Sequence, residues 1–148
     1  MKRIVDYRKL FGITQEADLA QLKTIYRNLI KEWHPDKFQN DDILKAQCEV
    51  KSKEIISAYH FLVSISPETH QLNAEEYAQT TATSIIDNFS YKGQTLKITF
   101  QNGSSYEYFG VPKNIYIKLI NSPTQSRFAR RHIYNSFIYR NISKLITE

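Results

Sequence analysis

The sequence holds few of the residues from which catalytic or metal sites are usually built. It contains one cysteine, Cys48, so the chain can form neither an internal disulfide nor a cysteine-based zinc site. Its four glycines form no glycine-rich phosphate loop. No HExxH pairing or other metal-ligand spacing relates the four histidines, which are His34, His60, His70 and His132. We therefore predict that the protein is not an enzyme and that it uses no metal or cofactor.

Long hydrophobic runs are also missing. No stretch approaches the roughly 20 apolar residues that a membrane helix requires. The charged residues Lys2 and Arg3 precede any apolar run of signal-peptide length. These absences predict a protein that makes no membrane contact and works in a reducing, cytoplasmic compartment. In that setting we expect Cys48 to be a small buried helix residue.

Charge and aromatic residues are distributed unevenly along the chain. The net charge is +5, and residues 73–148 hold nine Lys or Arg against five Asp or Glu. The same half holds 12 of the 19 aromatic residues. A basic and aromatic half indicates nucleic acid as one candidate partner. A small aromatic core beneath a solvated basic surface would produce the same totals.

The first half shows the periodicity of two helices. In the first helix, one face is apolar: Leu19, Leu22, Tyr26, Leu29, Ile30 and Trp33. The opposite face carries cations at i, i+4 and i+8: Lys23, Arg27 and Lys31. Pro35 ends this helix, and Asp41 or Asp42 is a suitable N-cap for a second helix over residues 43–63. Two such helices with a short connection should form an antiparallel hairpin, followed by a short helix from Ser66-Pro67-Glu68.

The second half changes to a period of two. Leu96, Ile98 and Phe100 alternate with polar residues, and Asn102-Gly103 is a strong hairpin signal. With an earlier strand over residues 85–91, we predict a three-stranded antiparallel sheet, followed by helices over 112–121 and from 125 to 139 or beyond. The fold class is α+β. We predict an N-terminal domain over 1–78, a polar linker over 79–83 and a C-terminal domain over 84–148.

The first half resembles a J-domain, the module of DnaJ-type co-chaperones, over about residues 6–72. The resemblance rests on segments that fall at the spacing of that family: Asp6-Tyr7, Leu10-Phe11-Gly12-Ile13, Ile25-Tyr26-Arg27-Asn28-Leu29, His34-Pro35-Asp36-Lys37, Glu54-Ile55, Ala58-Tyr59 and Ser66-Pro67-Glu68. The chain departs from the family at three places. Ser52 stands where the family usually has a core phenylalanine, and Asn28 stands where it often has a basic residue. Thr69-His70 stands where it usually has a pair of basic residues. With one cysteine and no glycine/phenylalanine-rich segment, the resemblance implies a class C J-protein.

The resemblance also implies a partner and a site. In that family the His-Pro-Asp tripeptide and the basic face of the preceding helix dock on a DnaK-type heat-shock chaperone and stimulate its ATP hydrolysis. Carried over residue by residue, the implied chaperone-binding residues are Lys23, Arg27, Lys31, His34, Pro35, Asp36 and Lys37. Asp36 would make a charge-assisted contact with an arginine of the partner. Pro35 would hold the loop, and His34 would orient it.

The second half resembles the KTSC domain, a small domain named for the C-terminus of certain lysyl-tRNA synthetases, over about residues 84–142. The matching residues are Phe100, Gly103, Tyr106-Glu107-Tyr108, Val111-Pro112, Tyr116, Ser126-Arg127-Phe128 and Ile133. The occurrence of the domain beside a synthetase implies RNA as a ligand. The candidate RNA-binding residues are Lys97, Tyr106, Tyr108, Arg127, Arg130 and Arg131.

The two tyrosines have two interpretations. Exposed rings on one sheet face would stack unpaired bases, while the arginines contact phosphates. Alternatively, both rings form the core beneath the helices, because a three-stranded sheet needs one covered face. In that case the arginines and Lys97 remain as the candidate surface.

Two hypotheses of function follow. The first is a co-chaperone that stimulates a DnaK-type ATPase and recruits a client protein or an RNA through its C-terminal domain. The second is an RNA-binding or scaffold module whose J-like half is not productive in ATPase stimulation.

Overall fold

A computed structural model describes residues 2–38 and 40–143 of the chain, and these form two compact units. The first, Lys2–His70, is all helical, and we call it the helical unit. The second runs from Gln71, combines helices with one antiparallel sheet, and is called the α+β unit. The α+β class expected from the two sequence periods is confirmed.

The helical unit is built around two helices of opposite direction. Its elements are α1 (Lys2–Phe11), α2 (Leu19–Trp33), a 3₁₀ turn (Pro35–Phe38), α3 (Asp42–Ser64) and α4 (Pro67–Leu72), the last of which runs past the unit boundary. Tyr26 near the middle of α2 stacks on Tyr59 late in α3, with ring centroids 4.2 Å apart. Trp33 at the end of α2 contacts Ser52 earlier in α3. These pairings run in opposite directions along the two helices, so the predicted antiparallel hairpin is confirmed.

The two long helices begin at side-chain caps, of which the sequence analysis predicts the second. Asp18 accepts a hydrogen bond from the backbone N–H of Gln21 at 2.7 Å, and the Gln21 side chain accepts one from the backbone of Asp18, which makes a capping box. Asp41 accepts hydrogen bonds from the N–H groups of Ile43 and Leu44, both at 3.1 Å. Asp41 is therefore the N-cap of α3.

The core of the helical unit comes from three helices. Its buried apolar residues are Ile4, Phe11, Leu22, Cys48, Ile55, Ala58, Phe61, Leu62 and Ile65. Cys48 is 2% exposed, as the sequence predicts. Leu44 is 40% exposed, although it lies four residues before the buried Cys48 and so on the same side of α3. It lies in the first turn of α3, close to the solvent-exposed 3₁₀ turn.

The α+β unit contains one four-stranded antiparallel sheet with three helices. Its elements are α5 (Ala74–Thr83), β1 (Ile86–Lys92), β2 (Thr95–Phe100), β3 (Ser105–Phe109), α6 (Lys113–Asn121), α7 (Gln125–His132) and β4 (Ile138–Asn141). The strand order is β1-β2-β3-β4. The predicted hairpin at Asn102-Gly103 joins β2 to β3, but only Gly103 has a positive φ, of 91°. The turn is thus a longer loop than the two-residue connection that the dipeptide favours.

The last helix and the strand count differ from the sequence prediction. The helix predicted to reach residue 139 ends at His132, and Ile138–Asn141 form β4 instead. Strand β4 pairs with the edge of β3, with Glu107 opposite Arg140 and Tyr108 opposite Tyr139. Without it, β3 would expose an unpaired row of backbone N–H and C=O groups. The edge of β3 supplies the backbone hydrogen-bond partners that stabilise Ile138–Asn141 as a strand.

The segment between the two regions of sequence resemblance is a helix in the structure. Residues 79–83, predicted as a polar linker, form the second half of α5. Tyr77 of α5 is 6% exposed and belongs to the core of the α+β unit with Leu96, Tyr108 and Ile133. The compact α+β unit accordingly begins at Gln71, ahead of the boundary that the polar run suggests.

Candidate functional site

The His-Pro-Asp tripeptide lies at the C-terminal end of α2, where the chain turns sharply. His34 caps α2 in extended backbone geometry (φ −68°, ψ 130°), and Pro35 begins the 3₁₀ turn. The backbone N–H of Asp36 donates to His34 Nδ1 at 3.2 Å, and the N–H of Lys37 donates to the His34 carbonyl at 3.1 Å. His34 therefore holds the turn through both its ring and its backbone.

The side chains of His34 and Asp36 face solvent. The side chain of Asp36 is 73% exposed and that of His34 is 50% exposed, with His34 Nδ1 and Asp36 Oδ2 3.5 Å apart. The same Nδ1 atom accepts the Asp36 N–H bond, so the ring nitrogen is unprotonated in that arrangement. The Asp36 carboxylate is thus presented outward with hydrogen-bonding capacity left for a partner.

The basic stripe, defined as Lys23, Arg27 and Lys31, is exposed along the outer face of α2. Leu22 and Tyr26, on the opposite side of the helix, pack towards α3. Within residues 2–38 and 40–143, no carboxylate forms an ion pair with any of the three cations. Their charges are therefore available to attract an acidic surface. The stripe ends one turn before His34, so the cations and the Asp36 carboxylate belong to one continuous surface.

Trp33, the residue before the tripeptide, is held by two neighbouring residues of α3. The hydroxyl of Ser52 donates to the Trp33 carbonyl at 2.8 Å. The ammonium of Lys51 lies 5.7 Å from the centroid of the Trp33 indole ring. The sequence marks Ser52 only as a departure from the J-domain pattern, and the contact was not expected. A serine facing the end of the preceding helix is the signal that could have indicated it.

The α+β unit places its two motif tyrosines in the interior. Tyr106 is 2% exposed and Tyr108 is 0% exposed. Their rings lie on the sheet face that packs against Ala129 and Ile133 of the α7 region. A buried ring offers no face to a nucleic acid base. The structure therefore supports the interpretation of these two residues as core. We remove both from the set of candidate RNA-binding residues.

A hydrogen-bonded tyrosine cluster surrounds Tyr108. The hydroxyl of Tyr77 donates to the Tyr134 carbonyl at 2.6 Å, and it lies 2.9 Å from the hydroxyl of Tyr108. Because Tyr77 has one proton to give, Tyr108 is the donor in the second bond. Tyr77 also stacks on Tyr139 with ring centroids 4.0 Å apart. Burial raises the pKa of Tyr106 to about 12 and raises that of Tyr77 and of Tyr108 further.

The remaining candidate RNA-binding residues do not form one surface. Arg127, Arg130 and Arg131 are exposed on α7, and the Nε of Arg130 donates to the Thr81 carbonyl at 3.1 Å. Lys97 is also exposed, but its neighbours Leu96 and Ile98 face the core beside α7. Since side chains alternate along a strand, Lys97 lies on the other face of the sheet. There it is paired in register with Glu107, whose carboxylate accepts from Arg140 at 2.7 Å.

The described part of the chain contains no arrangement typical of metal or membrane chemistry. No group of three or more histidine, cysteine or acidic side chains converges among these residues. None of the helices within residues 2–38 and 40–143 is long and apolar enough to cross a membrane.

Comparison with known families also finds two regions in the chain, which correspond to the helical unit and the α+β unit. The chain matches the DnaJ domain over residues 6–70 and the KTSC domain over residues 82–137. Residues 71–81, which include Tyr77, lie outside both matches. The first match contains the His-Pro-Asp turn and the basic stripe, and the second contains the sheet core, α6 and α7.

Individual relatives match about two fifths of the chain. The chain is 40% identical over 60 residues to a chaperone protein DnaJ of Ruthia magnifica and 40% identical over 57 residues to one of Thermoplasma volcanium. It is 36% identical over 61 residues to the DnaJ protein homolog XDJ1 of Saccharomyces cerevisiae. These matches cover 40%, 38% and 41% of this chain, and 16%, 15% and 13% of the respective relatives. The chain therefore contains a DnaJ domain at residues 6–70 followed by a KTSC domain at residues 82–137.

Proposed function

We propose that this protein is a co-chaperone that docks on a DnaK-type heat-shock chaperone and stimulates its ATP hydrolysis. The observation that carries the proposal is the exposed Asp36 carboxylate, held by His34 at the end of a helix whose outer face carries the basic stripe, which pairs with no carboxylate of the described residues. The match to the DnaJ domain supports it. The DnaJ-domain family is not one of catalytic enzymes, and ATP hydrolysis would occur in the partner.

The exposed groups would contribute to docking in different ways. The basic stripe attracts an acidic surface of the chaperone and raises the association rate, an effect that salt weakens. Asp36 then forms a charge-assisted hydrogen bond with an arginine of the partner, which is stronger than a neutral bond. His34 and Pro35 keep the carboxylate in one orientation, because the ring accepts the Asp36 N–H and the proline fixes φ.

The test is single-turnover ATP hydrolysis by a DnaK-type chaperone with the intact protein. We expect stimulation by the unmodified chain and a loss of at least about ten-fold in Asp36→Asn, which corresponds to one charge-assisted bond. His34→Gln should lose stimulation as well. His60→Gln is the matched control, because His60 is an exposed histidine of α3 far along the chain from the turn.

Circular dichroism on every variant separates loss of docking from loss of folding. If the folded protein does not stimulate the chaperone, the co-chaperone proposal fails. The second hypothesis, an RNA-binding or scaffold module, then becomes the main one. Stimulation that survives both His34→Gln and Asp36→Asn would also contradict the assignment of the site.

For the KTSC domain we propose recruitment of a client or an RNA, and the exposed arginines of α7 favour RNA. Arg127 and Arg131 are one helical turn apart, and Arg130 lies beside them. Helix α7 carries no acidic residue to neutralise them. Phosphates of a nucleic acid backbone suit such a surface. With both motif tyrosines buried, recognition would rely on the backbone rather than on base stacking.

Binding of a fluorescent single-stranded RNA at several salt concentrations tests this role. We expect Arg127→Ala with Arg131→Ala to weaken binding and to reduce the slope of log affinity against log salt by about 1.4, or about 0.7 for each phosphate that an arginine no longer neutralises. Lys113→Ala with Lys118→Ala is the matched control, since it removes two exposed charges from α6. Equal effects of the two pairs would show attraction by net charge alone and would contradict a site on α7.

A further inference from the structure

The end of α2 leaves its last carbonyl without a helical partner. In a continuing helix, the N–H of Lys37 would bond to the Trp33 carbonyl. That N–H donates instead to the His34 carbonyl at 3.1 Å, and Pro35 has no N–H to offer. The Trp33 carbonyl is therefore one of the orphan acceptors that a helix end must satisfy in another way.

Ser52 of α3 supplies the missing donor. Its hydroxyl lies 2.8 Å from the Trp33 oxygen, across 19 residues of sequence, in a half-buried position. A half-buried hydrogen bond exchanges less readily with water than the exposed bonds of the turn itself. The preceding residue, Lys51, places its ammonium over the Trp33 ring. Consecutive residues of α3 thus hold both the backbone and the side chain of the residue that immediately precedes His34.

We propose that Ser52 is a positioning residue for chaperone docking: by fixing the Trp33 carbonyl it sets where the chain leaves α2, and thereby where His34 and Asp36 point. This inference rests on the proposed co-chaperone function. It assigns a role to a half-buried residue that is not among the implied chaperone-binding residues. Without the Ser52 bond, the last turn of α2 would fray, and the His-Pro-Asp turn would occupy its docking geometry for a smaller fraction of the time.

The proposal predicts a specific kinetic result. Ser52→Ala should raise the concentration of protein that gives half-maximal ATPase stimulation by about two- to ten-fold, the factor that the net free energy of one hydrogen bond supplies. The maximal stimulated rate should stay unchanged, because the turn still reaches the same bound geometry and only the competent fraction falls. Ser52→Thr, which keeps the hydroxyl, should restore most of the loss.

Ser64→Ala is the matched control. Ser64 is a second half-buried serine of α3, and its hydroxyl donates to the Phe61 carbonyl at 2.6 Å within its own helix. This variant also removes one serine-to-carbonyl bond, but at the far end of α3 from the turn. Half-maximal stimulation should therefore remain at the unmodified value. An equal rise of the half-maximal concentration in Ser52→Ala and Ser64→Ala would show that Ser52 has only a general structural role, and it would overturn the proposal.

A second readout does not depend on the chaperone. Backbone amide order parameters of Asp36 and Lys37, measured by NMR on the full chain, should fall in Ser52→Ala from about 0.85, typical of rigid backbone, towards about 0.6. They should be unchanged in Ser64→Ala. If the unmodified protein fails to stimulate any DnaK-type chaperone, the proposed function fails, and these order parameters alone decide whether Ser52 positions the turn. Unchanged order parameters in Ser52→Ala would overturn the inference in either case.

Discussion

The two units of this protein use their signature residues in opposite ways. In the helical unit, the residues that the sequence marks are exposed: the Asp36 side chain by 73% and the His34 side chain by 50%. In the α+β unit, the central Tyr-x-Tyr motif is hidden, with Tyr106 2% and Tyr108 0% exposed. Polar groups held outward at a helix end serve recognition, whereas rings under a sheet serve folding. A sequence motif therefore carries a binding hypothesis only when its side chains reach solvent.

The difference follows from the two architectures. A helix hairpin buries one stripe of each helix and leaves the outer face and the connecting turn free for a partner. A small sheet must cover one whole face to be stable. In the α+β unit that face is covered by α6, α7 and, through Tyr77, by α5. The RNA-binding role that we propose for this unit therefore rests on residues outside the motif, the arginines of α7.

The largest expected effect concerns Tyr77, which lies outside both family matches. Tyr77→Ala should destabilise the α+β unit by about 3–5 kcal/mol, because it removes a buried ring and leaves the Tyr134 carbonyl and the Tyr108 hydroxyl without their partner. The helical unit should keep its stability. Residue-resolved hydrogen exchange on the full chain measures the two units separately.

Two further variants sharpen this result. Tyr77→Phe keeps the ring and should cost about 1–3 kcal/mol, the penalty for unsatisfied buried polar groups. Gln79→Ala changes an exposed residue of the same helix and should stay within about 0.5 kcal/mol. A Tyr77→Ala protein with unchanged protection in the sheet would show that α5 is only a linker between two independent domains, as its composition suggests.

The next largest effect is expected at alkaline pH, which should lower the stability of the α+β unit through its buried tyrosines. The pKa of Tyr106 is raised from 10.0 to about 12 by burial, and those of Tyr77 and Tyr108 are raised as well. A phenol with a higher pKa in the folded state than in the unfolded state stabilises the fold below the unfolded pKa, and that contribution is lost as pH rises. The α+β unit should therefore lose stability on the order of 2–3 kcal/mol between about pH 10 and pH 12 from Tyr106 alone.

Phenolate absorbance and NMR together check the alkaline prediction. Ionisation of the buried tyrosines should coincide with loss of the sheet resonances, while resonances of α2 and α3 are lost later or independently. Ionisation of all ten tyrosines near pH 10, with the sheet intact, would contradict the burial of the cluster.

The smallest effect on stability is expected at the basic stripe. Lys23→Ala, Arg27→Ala and Lys31→Ala should each change the free energy of unfolding by no more than about 0.5 kcal/mol, since their side chains are exposed and unpaired. Together they should lower the association rate with a DnaK-type chaperone and flatten its salt dependence. Urea unfolding and stopped-flow binding measure the two quantities. A large loss of stability would place the stripe with the structural residues and weaken the contrast between the units.

Local patterns predicted the main hairpin of the helical unit well, because the signals that start and end its helices come from near neighbours. The cap of α3, the proline stop and the apolar stripe placed α2, the turn and α3 close to their observed bounds. In the α+β unit the same approach placed three strands and α6 but extended α7 too far. Residues 133–138 contain apolar side chains at helical spacing, Ile133, Tyr134, Phe137 and Ile138. Periodicity alone cannot show that the free edge of β3 will recruit this segment as a strand.

The candidate site residues also fall into those that the sequence predicts and those that only packing decides. The sequence by itself determined the α+β class, the helix hairpin, and the position of the His-Pro-Asp turn with its basic stripe, because caps, periodicity and a short motif are encoded by near neighbours. Only the tertiary structure decided that Tyr106 and Tyr108 are buried, that Lys97 and the α7 arginines lie on different faces, and that Ser52 satisfies the Trp33 carbonyl. These outcomes depend on which distant residues share an interior or a hydrogen bond, and such pairing is fixed only when the elements pack.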